Sequence, residues 1–118
     1  MCGSGVSPGY SRRAMKLQYT VTARLGSQSD LDEYVDWLAV DHLQKVLDAG
    51  ALNCALVLPD TDDRTFMVRC HYIFESRESF DRYIREHAPR LRQEGLERFP
   101  PDRGVVFTRE TGSVRIMM

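Results

Sequence analysis

The segment from Lys16 to Leu25 alternates without interruption. Leu17, Tyr19, Val21, Ala23 and Leu25 share one parity; Lys16, Gln18, Thr20, Thr22 and Arg24 share the other. Successive side chains of a strand point to opposite sides of a sheet, so this spacing predicts a half-buried strand with one apolar and one polar face. A single strand of this kind is not stable. It needs neighbours for its backbone hydrogen bonds and a second layer over its apolar side.

The rest of the chain supplies both. Gly26-Ser-Gln-Ser29 breaks the alternation, with Ser29 or Asp30 as the expected helix cap. From Leu31 to Ala49 the apolar period becomes 3.6, with Leu31, Tyr34, Val35, Leu38, His42, Val46 and Ala49 on one stripe and Gly50 where a helix ends. Trp37, Val40, Leu43 and Leu47 fall outside that stripe and imply a second contact or a subunit interface. Ala51 to Leu58 and Thr65 to Glu75 read as two strands joined by the turn Pro59–Arg64, hence an antiparallel hairpin. Ser76 caps a second helix carrying Phe80, Tyr83, Ile84, His87 and Leu91. Pro89 is expected to kink it or to start a fresh turn, and Pro100-Pro101 to end it. Gly104 to Glu110 is the fourth strand, which the last residues either extend or leave frayed. The order β-α-β-β-α-β predicts an α+β, ferredoxin-like domain: a four-stranded antiparallel sheet with two helices on one face.

At 118 residues the chain suits one domain, read here as residues 15–118 with 1–14 as a disordered, Gly/Ser-rich extension or the product of a wrongly chosen start codon. The net charge of -1 lacks the basic surplus of a nucleic-acid footprint. In addition, Arg64–Tyr72 lacks the glycine and aromatic spacing of an RNA-stacking strand. No apolar run reaches the ~20 residues of a membrane span. The three cysteines, Cys2, Cys54 and Cys70, have no CxxC spacing. The expectation is a cytoplasmic protein with reduced thiols, no metal, no cofactor, and no nucleic-acid or membrane partner.

Two blocks add a resemblance. Asp32–Gly50, with its Trp37, His42, Val46-Leu47 and Gly50, and Glu75–Phe99 almost throughout, resemble a small bacterial family known only as a domain of unknown function. The likeness runs from about Met15 to Arg109 and implies a dimeric α/β barrel of ferredoxin-like subunits. Related barrels of that kind include cofactor-free monooxygenases, small isomerases and stress-associated proteins, so the resemblance implies no single activity.

The polar side of the sheet carries Gln18, Thr20, Thr22, Arg24, Met67, Arg69, His71 and Ile73, too mixed for a core or for a solvated face. Two copies packing sheet to sheet would bury its apolar members, so a homodimer is expected. The candidate chemistry centres on His42, a titratable group on an apolar stripe, with Tyr72 or His87 assisting it. Each has a plainer role: a core histidine satisfied by a carbonyl or a tyrosine, and polar partners for the backbone freed at Pro89. Arg69 and His71 on the open face, with Thr20 and Thr22, suit a small anion or carboxylate, or merely solvate the sheet. Trp37 and Tyr83 complete the expected ligand contacts. Cys54 and Cys70 read as small buried hydrophobes, and the arginines from Arg77 to Arg98 as a solvated, mixed-charge helix. The function expected is a small-molecule-binding homodimer with a mostly apolar cavity between sheet and helices and cofactor-independent acid/base chemistry. The alternative is a non-catalytic, structural or interaction homodimer.

Overall fold

A computed structural model describes residues 15–60 and 65–118. The N-terminal stretch 1–14 and most of the predicted turn lie outside the described residues. Strand β1 (Leu17–Leu25) leads to helix α1 (Gln28–Trp37), a π-helical turn (Leu38–His42) and helix α2 (Leu43–Asp48). Strands β2 (Asn53–Val57) and β3 (Phe66–Phe74) follow, then helices α3 (Arg77–Glu86) and α4 (Ala88–Arg98), a short 3-10 turn (Pro101–Arg103) and strand β4 (Val106–Ser113).

The sheet has the order β2-β3-β1-β4 with every neighbouring pair antiparallel. β1 and β2 therefore run the same way with β3 between them, the split β-α-β arrangement of the ferredoxin-like fold expected from the sequence. Tyr19 pairs with Tyr72, Val21 with Cys70 and Ala23 with Val68, so the apolar parities of the two central strands coincide. That face is covered by the helices, and Ala23, Val68, Cys70 and Phe74 are at most 1% exposed.

Local chemistry sets the helix boundaries. Ser27, rather than the expected Ser29 or Asp30, caps α1: its Oγ accepts from the Asp30 N–H at 3.1 Å. An extended residue must precede the first turn, and Ser27 is the extended one (φ -159°, ψ 167°). Ser76 caps α3 in the same way through the Ser79 N–H at 3.1 Å. Pro89 starts a fresh helix: His87 leaves helical geometry (φ -125°, ψ -39°) and α4 begins at Ala88. Gly50 follows α2 with φ +127°, a conformation open to glycine at little cost.

Three expectations are settled or corrected. Of the two roles open to Trp37, a second contact or a subunit interface, it takes the first: it is 8% exposed and packs on Tyr34 and Phe99 inside the subunit. An unbroken 3.6 repeat cannot bury Trp37 and Leu38 along with His42 and Val46. The π turn inserts one extra residue, with Leu43 N–H bonding back to Leu38 O, and resets the phase. The surplus falls instead on Val40, 84% exposed. The second strand is shorter than its alternation suggests, and Leu52 and Leu58 lie beyond its ends, 49% and 48% exposed. Of the two fates open to the residues after Glu110, extension or fraying, the fourth strand takes the first as far as Ser113, because β1 supplies partners as far as Leu17.

Among the described residues, no helix is long and apolar enough to cross a membrane, and no group of three or more His, Cys, Asp or Glu side chains is placed to hold a metal ion.

Candidate functional site

Between the covered face of the sheet and the helices lies a solvent-reaching cavity of about 40 Å³. Each element contributes to its wall for a definite reason. Tyr19, Val21 and Tyr72 come from the inward parity of the central strands, Phe107 and Arg109 from the same parity of β4. Tyr34 and Trp37 come from the buried side of α1, His42 from the π turn, and Tyr83 from α3. α4 adds Leu91, Arg92, Gly95 and Leu96. Gly95 lets that helix lie close: a Cβ there would meet the Trp37 ring at 3.4 Å. At roughly 10–15 Å³ per water, the space holds about three waters. The wall is largely aromatic, with His42, Arg92 and Arg109 as its charged or titratable members besides the tyrosines.

Two polar atoms of this wall are buried without a hydrogen-bond partner, His42 Nδ1 and Arg92 Nε. Leaving such a group unpaired costs about 1–3 kcal/mol, and native structures keep few of them. The His42 ring stacks on Trp37, 4.5 Å between centroids and 22° from parallel. Burial pushes its pKa down to about 4, against the upward pull of Glu94 and Asp41. The imidazole is therefore neutral at pH 7, with one nitrogen able to accept a proton. Burial also raises the phenol of Tyr83 to about 12 and those of Tyr34 and Tyr72 further above the ordinary tyrosine value. These hydroxyls remain protonated and act as hydrogen-bond donors or acceptors, not as bases.

Of the residues singled out from sequence, His42, Tyr72, Trp37 and Tyr83 meet in this cavity. His87 does not join them: it lines a surface groove with Lys45, Asp48 and Arg90, its ring 6.5 Å from that of Tyr83. The break at Pro89 explains this, because His87 is the non-helical joint between α3 and α4. Arg69 and His71 lie on the opposite side of the sheet, one exposed and the other half-buried. His71 Nδ1 is 3.0 Å from the Thr20 hydroxyl, itself 5% exposed. Cys54 and Cys70 are free thiols in diagonal register, and burial raises Cys70 to about 11, against thiolate chemistry.

The sequence reading missed Arg92 and Arg109. Arg92 was counted with a solvated helix, yet once the repeat restarts after Pro89 the inward set Ala88, Leu91, Gly95 and Phe99 has Arg92 at its i+4 position. Arg109 shares the parity of Val105 and Phe107, the signal by which it could have been found.

The family described as domain of unknown function DUF4286 matches residues 16–114. No curated protein matches. Among solved structures, a dimeric ferredoxin-like protein from an uncultured marine organism superposes with a TM-score of 0.65 at 17% identity, covering 88% of this chain and 99% of its own. A second dimeric ferredoxin-like protein of the same kind of source gives 0.68 at 11% identity, covering 87% and 97%. A cofactor-independent oxygenase from Streptomyces nogalater, SnoaB, gives 0.62 at 9% identity, covering 87% and 96%. Likeness at these identities is likeness of fold.

Proposed function

The chain belongs to the DUF4286 family, and from that premise we propose a cytoplasmic, small-molecule-binding homodimer in which each subunit's cavity takes an organic ligand against His42. The observation that carries this reading is the buried, unpartnered Nδ1 of His42 on the wall of a cavity that reaches solvent. A neutral imidazole in that position hydrogen-bonds a ligand X–H, and with its pKa lowered to about 4 it serves as a base only toward an acidic one, the limit on any cofactor-independent acid/base chemistry here. Tyr72 and Tyr83, held protonated, hydrogen-bond the oxygen left behind. The space is small for a ring, since benzene fills a cavity of about 150 Å³. Entry of a larger guest therefore needs Leu96 and Arg109, both exposed at the wall, to swing aside.

Dimerisation through the open face is supported by its mixture of side chains. Ile73 is 9% exposed, whereas Val57 and Val106 are 40% and 55% exposed on the same side. A second copy laid sheet to sheet would shelter them, as the description of the two marine proteins as dimeric supports by analogy. Light scattering at high micromolar concentration is expected to give twice 13.6 kDa; a lone 13.6 kDa particle would remove the dimer.

The His42–Trp37 stack favours a second reading, in which the imidazole only packs and the protein is a structural dimer. A metabolite screen followed by protein NMR separates the two. Compounds that shift cavity resonances in the wild type and not in His42→Phe support the binding reading. A screen in which no compound does so supports the structural one.

A further inference from the structure

The guanidinium of Arg92 has used little of its capacity. Nη2 donates to the Tyr19 hydroxyl at 3.3 Å, while Nε is buried against the cavity with no acceptor. Arg109 stands on the same wall with its Cζ 5.7 Å over the Phe107 ring. Among the described residues neither arginine takes part in an ion pair. Two other cations near the cavity are paired: Lys45 holds Asp41 and Glu94 at 3.2 and 2.9 Å, and Arg103 holds Asp30 and Glu33. The acidic side chains beside the cavity, Asp41 and Glu94, are thus already committed to Lys45. What remains is an aromatic cage with two guanidinium groups and no carboxylate of its own.

A buried N–H without an acceptor is costly, Arg92 keeps one at Nε although the residue as a whole is half-buried, and a guanidinium is shaped to receive two oxygens at once. Resting on the reading of this cavity as a small-molecule site, we propose that its ligand is a small planar organic anion, with a carboxylate on Arg92 and a flat body against the aromatic wall of Trp37, Tyr34 and Phe107, in the space opened as Leu96 and Arg109 swing aside. Arg109 adds positive charge at the mouth. The same walls argue against an inorganic anion. Phosphate or sulfate needs donors on every side, and Phe107, Leu91 and the ring faces of Trp37 and Tyr34 offer it none.

Trp37 is the only tryptophan of the chain and lines the cavity, so its fluorescence reports occupancy directly. The test titrates the full-length protein with benzoate, its neutral isostere benzamide, and inorganic phosphate, following Trp37. Benzoate is expected to bind at about 1 mM, ordinary for so small a fragment. Benzamide should bind at least about 10-fold more weakly, the lower end of what a charge-assisted hydrogen bond provides. Arg92→Met should abolish the preference for benzoate and leave benzamide where it was, while Arg92→Lys keeps part of it. Arg109→Met, an exposed position that folding tolerates, should weaken benzoate about 2- to 5-fold and provides the reading should Arg92→Met not fold. Equal binding of benzoate and benzamide overturns the anionic ligand and leaves the cavity reading standing. Displacement of benzoate by phosphate at equal concentration overturns the organic half of the proposal. Silence of Trp37 toward both ring compounds overturns the cavity reading and this inference with it.

Discussion

The two faces of one sheet handle their polar groups in opposite ways. On the open face, Thr20 and His71 satisfy each other at 3.0 Å, Gln18 donates to the same hydroxyl at 3.4 Å, and Arg69 stands in solvent. On the covered side, in the helical layer over the sheet, His42 and Arg92 hold buried atoms with no partner. The first arrangement is stable as it stands and suits a surface that meets another surface. The second spends stability on unfilled hydrogen-bond capacity, which has a use when something small arrives to fill it. A titratable residue near a sheet is thus informative only together with the account of its partners.

The steepest contrast is in packing. Phe74 is 0% exposed and touches Phe80 and Tyr83 at 5.4 and 5.2 Å. Phe74→Ala is expected to cost about 3–5 kcal/mol, measured as a shift of the urea midpoint. Arg69→Ala, on the open face of the same strand, should stay within about 0.5 kcal/mol. Comparable losses at both positions would erase the distinction between a packed and an open face.

Next comes acid. The folded pKa of His42, about 4, lies below the ordinary 6.5, chiefly through burial; Lys45 and Arg109 depress it further, while Glu94 and Asp41 oppose them. Below pH 6.5 the unfolded chain binds a proton at this residue that the folded chain refuses until about pH 4. Stability is therefore full above 6.5 and falls between 6.5 and 4, by about 3 kcal/mol in all. Chemical unfolding at intervals across that window should show the fall in the wild type and a much shallower one in His42→Phe. Matching curves for the two proteins would mean that His42 titrates freely and is not desolvated.

The fold was legible because each element announces itself in its own period, and a half-covered sheet enforces strict alternation in β1. The region around His42 was half legible. Leu31, Tyr34 and Leu38 fix the inward side of α1, but a π turn adds one residue without any compositional mark, so the repeat leaves Trp37 off the inward stripe and its partner, inside the subunit or across an interface, undecided. Arg92 was hidden by a different cause. Charge on a helix is ordinarily solvated, and only the restarted phase after Pro89 shows it on the buried side. The orphan atoms themselves have no sequence signature, since whether Nδ1 finds a carbonyl depends on distances that the pattern does not contain.

A smaller effect probes what the unpaired imidazole costs. His42→Phe keeps an aromatic ring on Trp37, removes the orphan nitrogen and lets the neighbouring space absorb the added volume. It is expected to stabilise the protein by about 1 kcal/mol at pH 7, while binding of cavity ligands is lost. A loss of stability of similar size would show instead that the nitrogen is satisfied in solution, moving His42 into the class of core histidines.

The smallest effect belongs to the open face. Thr20→Val preserves shape and removes the hydroxyl that faces His71. Because His71 is half-buried rather than enclosed, water can replace the lost partner, and the cost should be about 0.5 kcal/mol. If the open faces pack together in a dimer, that water is expelled and the same substitution becomes dependent on protein concentration: near-neutral when dilute, more costly where the dimer predominates. Denaturation of Thr20→Val and wild type at two concentrations a hundredfold apart therefore reads the comparison at its weakest point. A concentration-independent difference keeps His71 in solvent, and a growing one places it in the interface.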